Sequence, residues 1–186
     1  MKQKPDFKPD TYVGFRHEVI PPDEPDCKYL ERWLLGVGLP GKNTWFTLRL
    51  HHFFRSDEDH LHDHPFWFIT LVVKGSYEDW VECPGCKGKR GHRYEKYVDM
   101  PSGPVAATGW RNCIFCGGTG QVVGTRMTPG TIRYRPALHR HRVVTDGCWT
   151  LVLSGPKIRD WGFWVNGEWM RQRKYFRKFG GSAACE

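Results

Sequence analysis

Short segments of alternating apolar and polar residues recur along most of the chain. Residues 45–54 alternate in this way and are rich in aromatic side chains, which is typical of a core strand. Further strands are predicted at residues 62–73, 76–83, 121–127, 131–135, 140–145, 149–154 and 161–165. Glycines and prolines separate these segments, and a tight turn is predicted at Gly167-Glu168. Because no long helix is convincing, the pattern predicts an all-β barrel or sandwich.

The two ends of the chain differ from its middle. Residues 1–26 are polar and contain five prolines, so they are predicted to form an extended arm with little regular structure. Residues 27–36 fit either a helix or a strand, and we favour the strand because it places Tyr29 and Trp33 on one face. A disordered tail is expected at residues 180–186.

Two histidine clusters, at residues 60–64 and 139–141, are the clearest chemical signal. Side chains two apart in a strand point to the same face, so His62 and His64 should project together. A later strand can bring His141 against them. Imidazoles that converge from two strands are typical of a metal site.

The spacing around the first cluster resembles motif one of the cupin superfamily, Gly-x5-His-x-His-x3,4-Glu-x6-Gly. With Gly75 as the closing glycine, the two histidines fall on His62 and His64. Ser56 stands at the position of the first glycine and Phe68 at that of the glutamate. The resemblance therefore implies two metal ligands here and the loss of the usual carboxylate ligand.

The second cluster resembles cupin motif two, Gly-x5-Pro-x-Gly-x2-His-x3-Asn. Gly130 and Pro136 match its spacing, and the histidine falls on His141. Leu138 replaces the second glycine and Thr145 the asparagine. This motif implies the third ligand.

A wider resemblance covers most of the chain. Residues 61–65, 140–143 and 149–164 look like segments of a group of small cupins found in phage and bacterial genomes, most of which have no assigned substrate. The resemblance implies a cupin double-stranded β-helix, the jelly-roll barrel.

Four of the 7 cysteines form two Cys-x2-Cys pairs, Cys83 with Cys86 and Cys113 with Cys116. Four thiolates close the coordination shell of tetrahedral zinc, so structural zinc is favoured over disulfides or a redox pair. Each pair is followed by glycines and resembles the Cys-x2-Cys-x-Gly-x-Gly units of the J-domain co-chaperones, with Arg90 in place of the last glycine of the first unit.

These signals divide the chain into an arm, a barrel in two parts, an insertion and a tail. The predicted bounds are 1–26 for the arm, 27–82 and 117–179 for the cupin barrel, 83–116 for the inserted zinc ribbon and 180–186 for the tail.

Three neutral imidazoles would leave open coordination positions in the barrel. The sequence does not choose among Fe, Mn, Zn and Ni for this second divalent metal, and the affinity should fall as the imidazoles protonate near their usual pKa of ~6.5. Candidates for an extra ligand or a proton-transfer group are His60, His139 and Tyr134. Asp63 should point away from the histidines and orient a neighbour. No other cofactor is implied.

The formal charge of +8 lies partly in residues 171–179, where basic and aromatic residues interleave. Such a segment suits a phosphate backbone, but we favour a solvated strand or helix whose aromatic side chains pack inward, with only weak, non-specific nucleic-acid contact. Arg135, Arg140 and Arg142 are candidate anion contacts. The first residues lack the apolar core of a signal peptide, and we expect a cytoplasmic protein, in the host cytoplasm if it is phage-encoded, without membrane contact.

Three functions remain open. The first is a metal-dependent cupin enzyme that acts on a small polar molecule, as an oxygenase, isomerase or hydrolase. The second is a non-catalytic binding module, in which the zinc ribbon and the basic tail contact nucleic acid or a protein partner, and the third is a structural protein; a homodimer is open in each case. An open cavity over the histidines favours the enzyme, whereas a cavity filled by Phe66 and Phe68 favours a scaffold.

Overall fold

The computed structural model describes residues 13–20, 28–38, 44–100 and 103–179. Fourteen strands and one helix form this part of the chain. Their bounds are β1 Gly14–Ile20, β2 Leu30–Gly38, β3 Thr44–Phe53, β4 Leu61–His62, β5 Phe68–Gly75, β6 Tyr77–Glu82, β7 Gly91–Met100, β8 Gly103–Asn112, β9 Gln121–Met127, β10 Ile132–Arg135, β11 His141–Val144, β12 Cys148–Ser154, β13 Gly162–Val165, β14 Glu168–Arg171 and α1 Gln172–Phe179. The one helix among the described residues, α1, is not long and apolar enough to cross a membrane.

Two six-stranded sheets contain most of the strands. The first has the order β1-β2-β3-β12-β5-β10 and the second the order β14-β13-β4-β11-β6-β9. Strands β7 and β8 pair only with each other. All pairs are antiparallel, so the fold is all-β as the alternating pattern predicts.

The winding of eight strands identifies the topology. The pairs are nested: β6 pairs with β9, β5 with β10, β4 with β11 and β3 with β12. The chain changes sheet at each step between these strands, except between β6 and β9, where the β7–β8 hairpin intervenes. This is the double-stranded β-helix, or jelly roll, the fold that the resemblance to cupins implies.

Side chains from both sheets form the core. Leu30, Phe53 and Val72 lie on the inner face of the first sheet, and Tyr77 and Val143 face them from the second. Burial alternates along β12, where every second residue is buried, because successive side chains of a strand point to opposite faces.

Several element predictions need correction. Residues 14–20, expected in an unstructured arm, form β1 and pair with β2 over their full length, whereas residues 1–12 and 21–26 of the arm lie outside the described residues. The tight turn is at Asn166-Gly167 rather than Gly167-Glu168; both turn residues have positive φ, the geometry of a two-residue hairpin turn. The predicted tail, residues 180–186, also lies outside.

Two open choices at the ends are resolved. The segment that fits either a helix or a strand forms β2. The basic segment near the end forms α1, with Tyr175 buried, because its aromatic side chains pack on the barrel through Phe163.

Candidate metal centres

The three histidines of the cupin spacing lie together. His62 is in β4, His141 is the first residue of β11, and these two are paired across the ladder. The ligand nitrogens of His62, His64 and His141 all lie within 4.8 Å of one another. Nitrogens bound at ~2.0–2.1 Å to one tetrahedral ion are about 3.3 Å apart, so the cluster has the size of a three-histidine site.

The reason for this convergence differs from the prediction. β4 ends at His62, and His64 follows in a loop, so the two histidines do not share a strand face. The amide of His64 donates to the Ala137 carbonyl at 3.0 Å, which fixes the loop against the segment before β11. His64 Nε2 then lies 2.8 Å from His141 Nε2.

A buried carboxylate stands behind His141. Asp79, on β6 and 1% exposed, has its Oδ1 2.6 Å from His141 Nδ1. A carboxylate that accepts from Nδ1–H fixes the ring orientation and leaves the Nε2 lone pair for a metal. Arg135 donates to the other Asp79 oxygen, and His139 Nε2 lies 3.7 Å from it.

The pKa values of His62 and His64 are lowered in the folded protein. Burial is the main cause that lowers the pKa of His62 to about 4, although the carboxylate of Asp57 opposes it. Burial, followed by the neighbouring imidazoles, also lowers the pKa of His64 well below its usual value. These rings are therefore neutral over most of the pH range, which is the form that binds metal.

Phe68 occupies the position at which the motif would place a glutamate. Its ring is 4.4 Å from that of His64 and 5.8 Å from that of His141, and the side chain is 6% exposed. Across the described part of the chain, no carboxylate oxygen joins the three histidines at ligand distance. A three-nitrogen donor set follows.

Three further candidates lie apart from this centre or behind it. His60 Nδ1 is 2.9 Å from the Tyr175 hydroxyl, beside α1. Tyr134 is 59% exposed on the outside of the first sheet. His139 lies behind His141, where it forms a second group of possible ligands with Asp79 and His141.

The predicted anion contacts are also engaged elsewhere. Arg135 is paired with Asp79, Arg142 with Asp59, and Arg140 with Glu82. None of the three arginines lines the cavity described below.

An open cavity of about 450 Å³ adjoins the three histidines. Phe66 and Phe68 line its wall but do not fill it. Its cationic lining residues are different from those predicted: Arg16, Arg32, Arg49 and Lys157.

Arg49 is the residue that sequence reasoning missed. It points inward from β3, is 6% exposed, donates to the Ser154 hydroxyl and stacks 4.5 Å from the Phe66 ring centre. The signal was present as a charged residue that alternates with Leu48 and Leu50 in a strand predicted to lie in the core. Such a position needs a reason, because a buried charge is expensive unless it is compensated.

Asp63 turns away from the histidines, as expected. It is fully buried and forms an ion pair with Arg159 at 2.9 Å. It also accepts from the amide of Gly162 at 2.9 Å and from the indole of Trp169 at 3.1 Å. Asp63 thereby ties the histidine loop to the β13–β14 hairpin.

The four cysteines of the two Cys-x2-Cys pairs form a separate cluster. Their sulfurs lie within 4.8 Å of one another, with 3.8 Å between Cys83 and Cys113 and 3.7 Å between Cys86 and Cys116. Sulfurs bound at ~2.3 Å to a tetrahedral ion are about 3.8 Å apart, whereas a disulfide is ~2.05 Å long. The spacing fits a four-thiolate metal site.

Backbone conformation explains the glycines that follow each pair. Gly88, Gly118 and Gly120 all have positive φ. Arg90, which stands in place of the last glycine of the first unit, also has a positive φ, of 67°. The turn brings amides onto sulfur, as with Gly120 N at 3.2 Å from Cys116 Sγ. Burial would raise the pKa of the Cys116 thiol, but the amides of Gly120 and Gly118 outweigh it and lower the pKa to about 6.

No family model and no curated protein matches the sequence. Similar solved structures include the polyketide cyclase RemF from Streptomyces resistomycificus, with 15% identity, 81% of this chain and 74% of that chain covered, and a TM-score of 0.38. Another is an RmlC-like cupin from Shewanella frigidimarina NCIMB 400, with 14% identity, coverage of 81% and 95%, and a TM-score of 0.41. A recombinant oxalate oxidase in complex with glycolate has 15% identity, coverage of 73% and 55%, and a TM-score of 0.40. At these scores the likeness says nothing about the activity of this chain.

Proposed function

We propose that the protein is a metal-dependent enzyme that acts on a small polar molecule in the barrel. The observation that supports this is the open cavity of about 450 Å³ beside His62, His64 and His141. A volume of this size is in the range of small-molecule sites, and a three-histidine donor set is typical of metal sites that keep positions open for substrate.

Each residue of the centre has a separate role in the proposal. The three imidazoles hold the metal, and Asp79 orients His141 through the 2.6 Å contact at Nδ1. A bound divalent metal would act as a Lewis acid toward a substrate oxygen or lower the pKa of a bound water. Phe66 and Phe68 supply apolar walls that limit access of water.

Four cationic side chains against two carboxylates, those of Asp57 and Glu58, line the cavity, and this balance favours a substrate with an acidic group. The guanidinium of Arg49 lies in the cavity wall with little exposure, where an anion would be weakly screened. A carboxylate or similar group would pair with it while another substrate oxygen faces the histidines. Oxygenase, isomerase and hydrolase chemistry all remain compatible with this arrangement.

The second centre is proposed to be structural zinc. Four thiolates leave no open coordination position, so Cys83, Cys86, Cys113 and Cys116 would stabilise the insertion without taking part in the reaction. The chain would then hold one closed and one open metal site.

Metal analysis of protein purified without added metals tests the proposal. The wild-type protein should hold two metal equivalents after dialysis against divalent metal in excess over both sites, and His141→Ala should hold only the zinc. His92→Ala is the control, because His92 lies in the exposed β7–β8 hairpin. Equal metal content in the wild-type and His141→Ala proteins would refute the barrel site.

Activity is then sought with the loaded protein. Mixtures of small hydroxy and oxo acids are incubated with wild type and with His141→Ala, and conversion is followed by mass spectrometry. Turnover that is lost in His141→Ala supports an enzyme. A loaded protein that binds these acids without converting any of them would instead favour a binding role for the barrel.

A further inference from the structure

The β7–β8 hairpin projects away from the barrel sheets. Neither strand pairs with either of the two main sheets. Residues 92–96 are exposed without alternation, and so are residues 110–112 on the opposite strand. Both faces of this part of the hairpin therefore meet solvent, which is unusual for strands with aromatic side chains.

Aromatic rings lie close to glycines at three places in this insertion. A Cβ at Gly91 would lie 2.8 Å from Trp110 Nε1, and one at Gly85 would lie 2.4 Å from Phe115 Cδ2. Only glycine allows so close an approach of a ring to the backbone. Much of each of these side chains remains accessible to a ligand, since Trp110 is 57% and Phe115 is 70% exposed.

Tyr94 repeats the arrangement with a cation beside it. Its ring covers Gly109, where a Cβ would be 2.7 Å from Cζ, and Arg111 lies 5.3 Å from the ring centre. Close contact with the backbone at these glycines restricts the space open to each ring, which reduces the side-chain entropy lost when a planar ligand stacks on it.

Basic residues surround these rings. Six basic side chains against two acidic ones lie between Cys83 and Cys116: Lys87, Lys89, Arg90, Arg93, Lys96 and Arg111 against Glu95 and Asp99. Four thiolates around a divalent ion keep two negative charges, and the segment remains basic with them included. The charge is therefore suited to a polyanion.

One cleft is lined by both an exposed aromatic ring and basic side chains. It has a volume of about 640 Å³ and lies between the second Cys-x2-Cys turn and the β13–β14 turn. Lys89, Arg90, Trp110 and Asn112 line one side, and Asn166 with Glu168 lines the other. One exposed ring, two cations, two amide side chains and the single carboxylate of Glu168 thus face a space of the size that a nucleotide occupies.

We infer that the zinc-stapled hairpin binds single-stranded nucleic acid. Trp110 and Phe115 offer open ring faces on which bases stack, and the basic side chains beside them neutralise phosphates. The amides of Asn112 and Asn166 are placed to contact base edges. Bases paired in a duplex hide their faces, so the arrangement selects single strands.

The test is a fluorescence anisotropy titration with the full chain. The probes are labelled oligouridylate and oligodeoxythymidylate of about 12 nucleotides, and a duplex of equal length, at about 50 and about 150 mM salt. Wild type should bind both single strands more tightly than the duplex, and the affinity should fall with salt. The two single-stranded probes separate RNA from DNA as the ligand.

Substitutions then locate the site. Trp110→Ala should weaken binding by about fivefold to 150-fold, the factor that corresponds to ~1–3 kcal/mol of stacking for one base. Trp110→Phe should retain most of the affinity, because a smaller ring still stacks. Trp45→Ala is the matched control, since Trp45 is also about half exposed, at 55%, but lies on β3 of the barrel.

The basic helix provides a second control. Lys174→Ala in α1 should leave the affinity within about twofold, because one exposed cation contributes little without stacking. Zinc content and thermal unfolding are measured for every variant, so that a folding defect is not mistaken for lost binding.

Three results would overturn the inference. These are preference for the duplex, equal affinity of the wild-type and Trp110→Ala proteins when both hold zinc, and a loss caused by Trp45→Ala that matches the loss caused by Trp110→Ala. The inference does not rest on the enzyme proposal, because His141→Ala should leave oligonucleotide binding intact.

Discussion

Replacing Asp79 by Asn tests whether the buried carboxylate organises the histidine centre. Asp79 accepts from Arg135 through one oxygen and contacts His141 Nδ1 at 2.6 Å through the other. Burial would raise the pKa of Asp79, but the imidazoles of His139 and His141 and the Arg135 guanidinium hold the pKa well below its usual range. The group is therefore charged at every ordinary pH.

The size of the effect follows from these contacts. Asparagine keeps the shape but removes the charge, which leaves Arg135, itself 8% exposed, without its counterion. Breaking a buried pair from one side costs about 3–5 kcal/mol of unfolding free energy. Because the folded-state pKa of Asp79 lies below the unfolded value of ~3.9, this stabilisation is complete above that pH and is lost in stronger acid.

Metal affinity should fall in the same variant. An asparagine NH₂ group can donate to His141 Nδ1 and so move the ring proton to Nε2, where the metal would bind. Removal of such an outer carboxylate typically lowers metal affinity by about 10–100-fold. The four-cysteine site does not depend on this contact and should keep its metal.

Equilibrium dialysis against Co²⁺ and urea unfolding measure the two effects. Glu78→Gln is the matched control, because Glu78 lies on the same strand and contacts Trp80 rather than a histidine. If Asp79→Asn matched Glu78→Gln in both metal affinity and unfolding free energy, the role assigned to Asp79 would be wrong.

Three further predictions concern other parts of the chain. Cys86→Ser should release zinc and destabilise the insertion while the barrel stays folded, as measured by zinc content and circular dichroism; full zinc retention would exclude the four-cysteine site. Since the pKa of His62 is lowered to about 4, the unfolded state binds more protons from pH ~6.5 down to that value, and the metal-depleted protein should lose stability across this window in urea titrations. A profile that is flat there would contradict the burial of His62. Asp63→Ala should cost about 3–5 kcal/mol of unfolding free energy, because Arg159 loses its buried partner; a cost below about 1 kcal/mol would refute this.

The sequence was sufficient to predict most strands and the residues of the two clusters, and the resemblance of its motifs to those of cupins implied the double-stranded β-helix. These features rest on local alternation and on fixed spacings, such as that from Gly130 to His141. Both can be read from the sequence without knowing how distant side chains pack. The closing glycine of the first motif has a physical reason as well: Gly75 has a φ of 74°, and a Cβ there would lie 2.4 Å from the Gly147 carbonyl oxygen.

The sequence was insufficient where distant residues decide the outcome. Asp79 contacts Arg135 and His141 across separations of 56 and 62 residues, and no local pattern marks such a pairing. The proline-rich start hid β1, because the regularity of that strand comes from its ladder with β2 and not from its own sequence. Arg49 was overlooked because the alternation along β3 does not show which of its faces points inward: Leu48 is 37% exposed, whereas Arg49 is 6% exposed.

The location of the insertion separates the β7–β8 hairpin from the histidine cluster. The step from β6 to β9 is the one among the eight wound strands at which the described chain stays in the same sheet, so added residues there cross neither the barrel nor the cavity. The four-cysteine cluster closes the base of the insertion, where the Cys83 amide donates to the Gly120 carbonyl at 2.9 Å and continues the β6–β9 ladder. Because the two ends of the insertion are joined at its base, the number of residues between them does not change the distance that the barrel strands β6 and β9 must bridge. The hairpin can therefore change in sequence and ligand without disturbing β6, whose Asp79 supports the histidine centre.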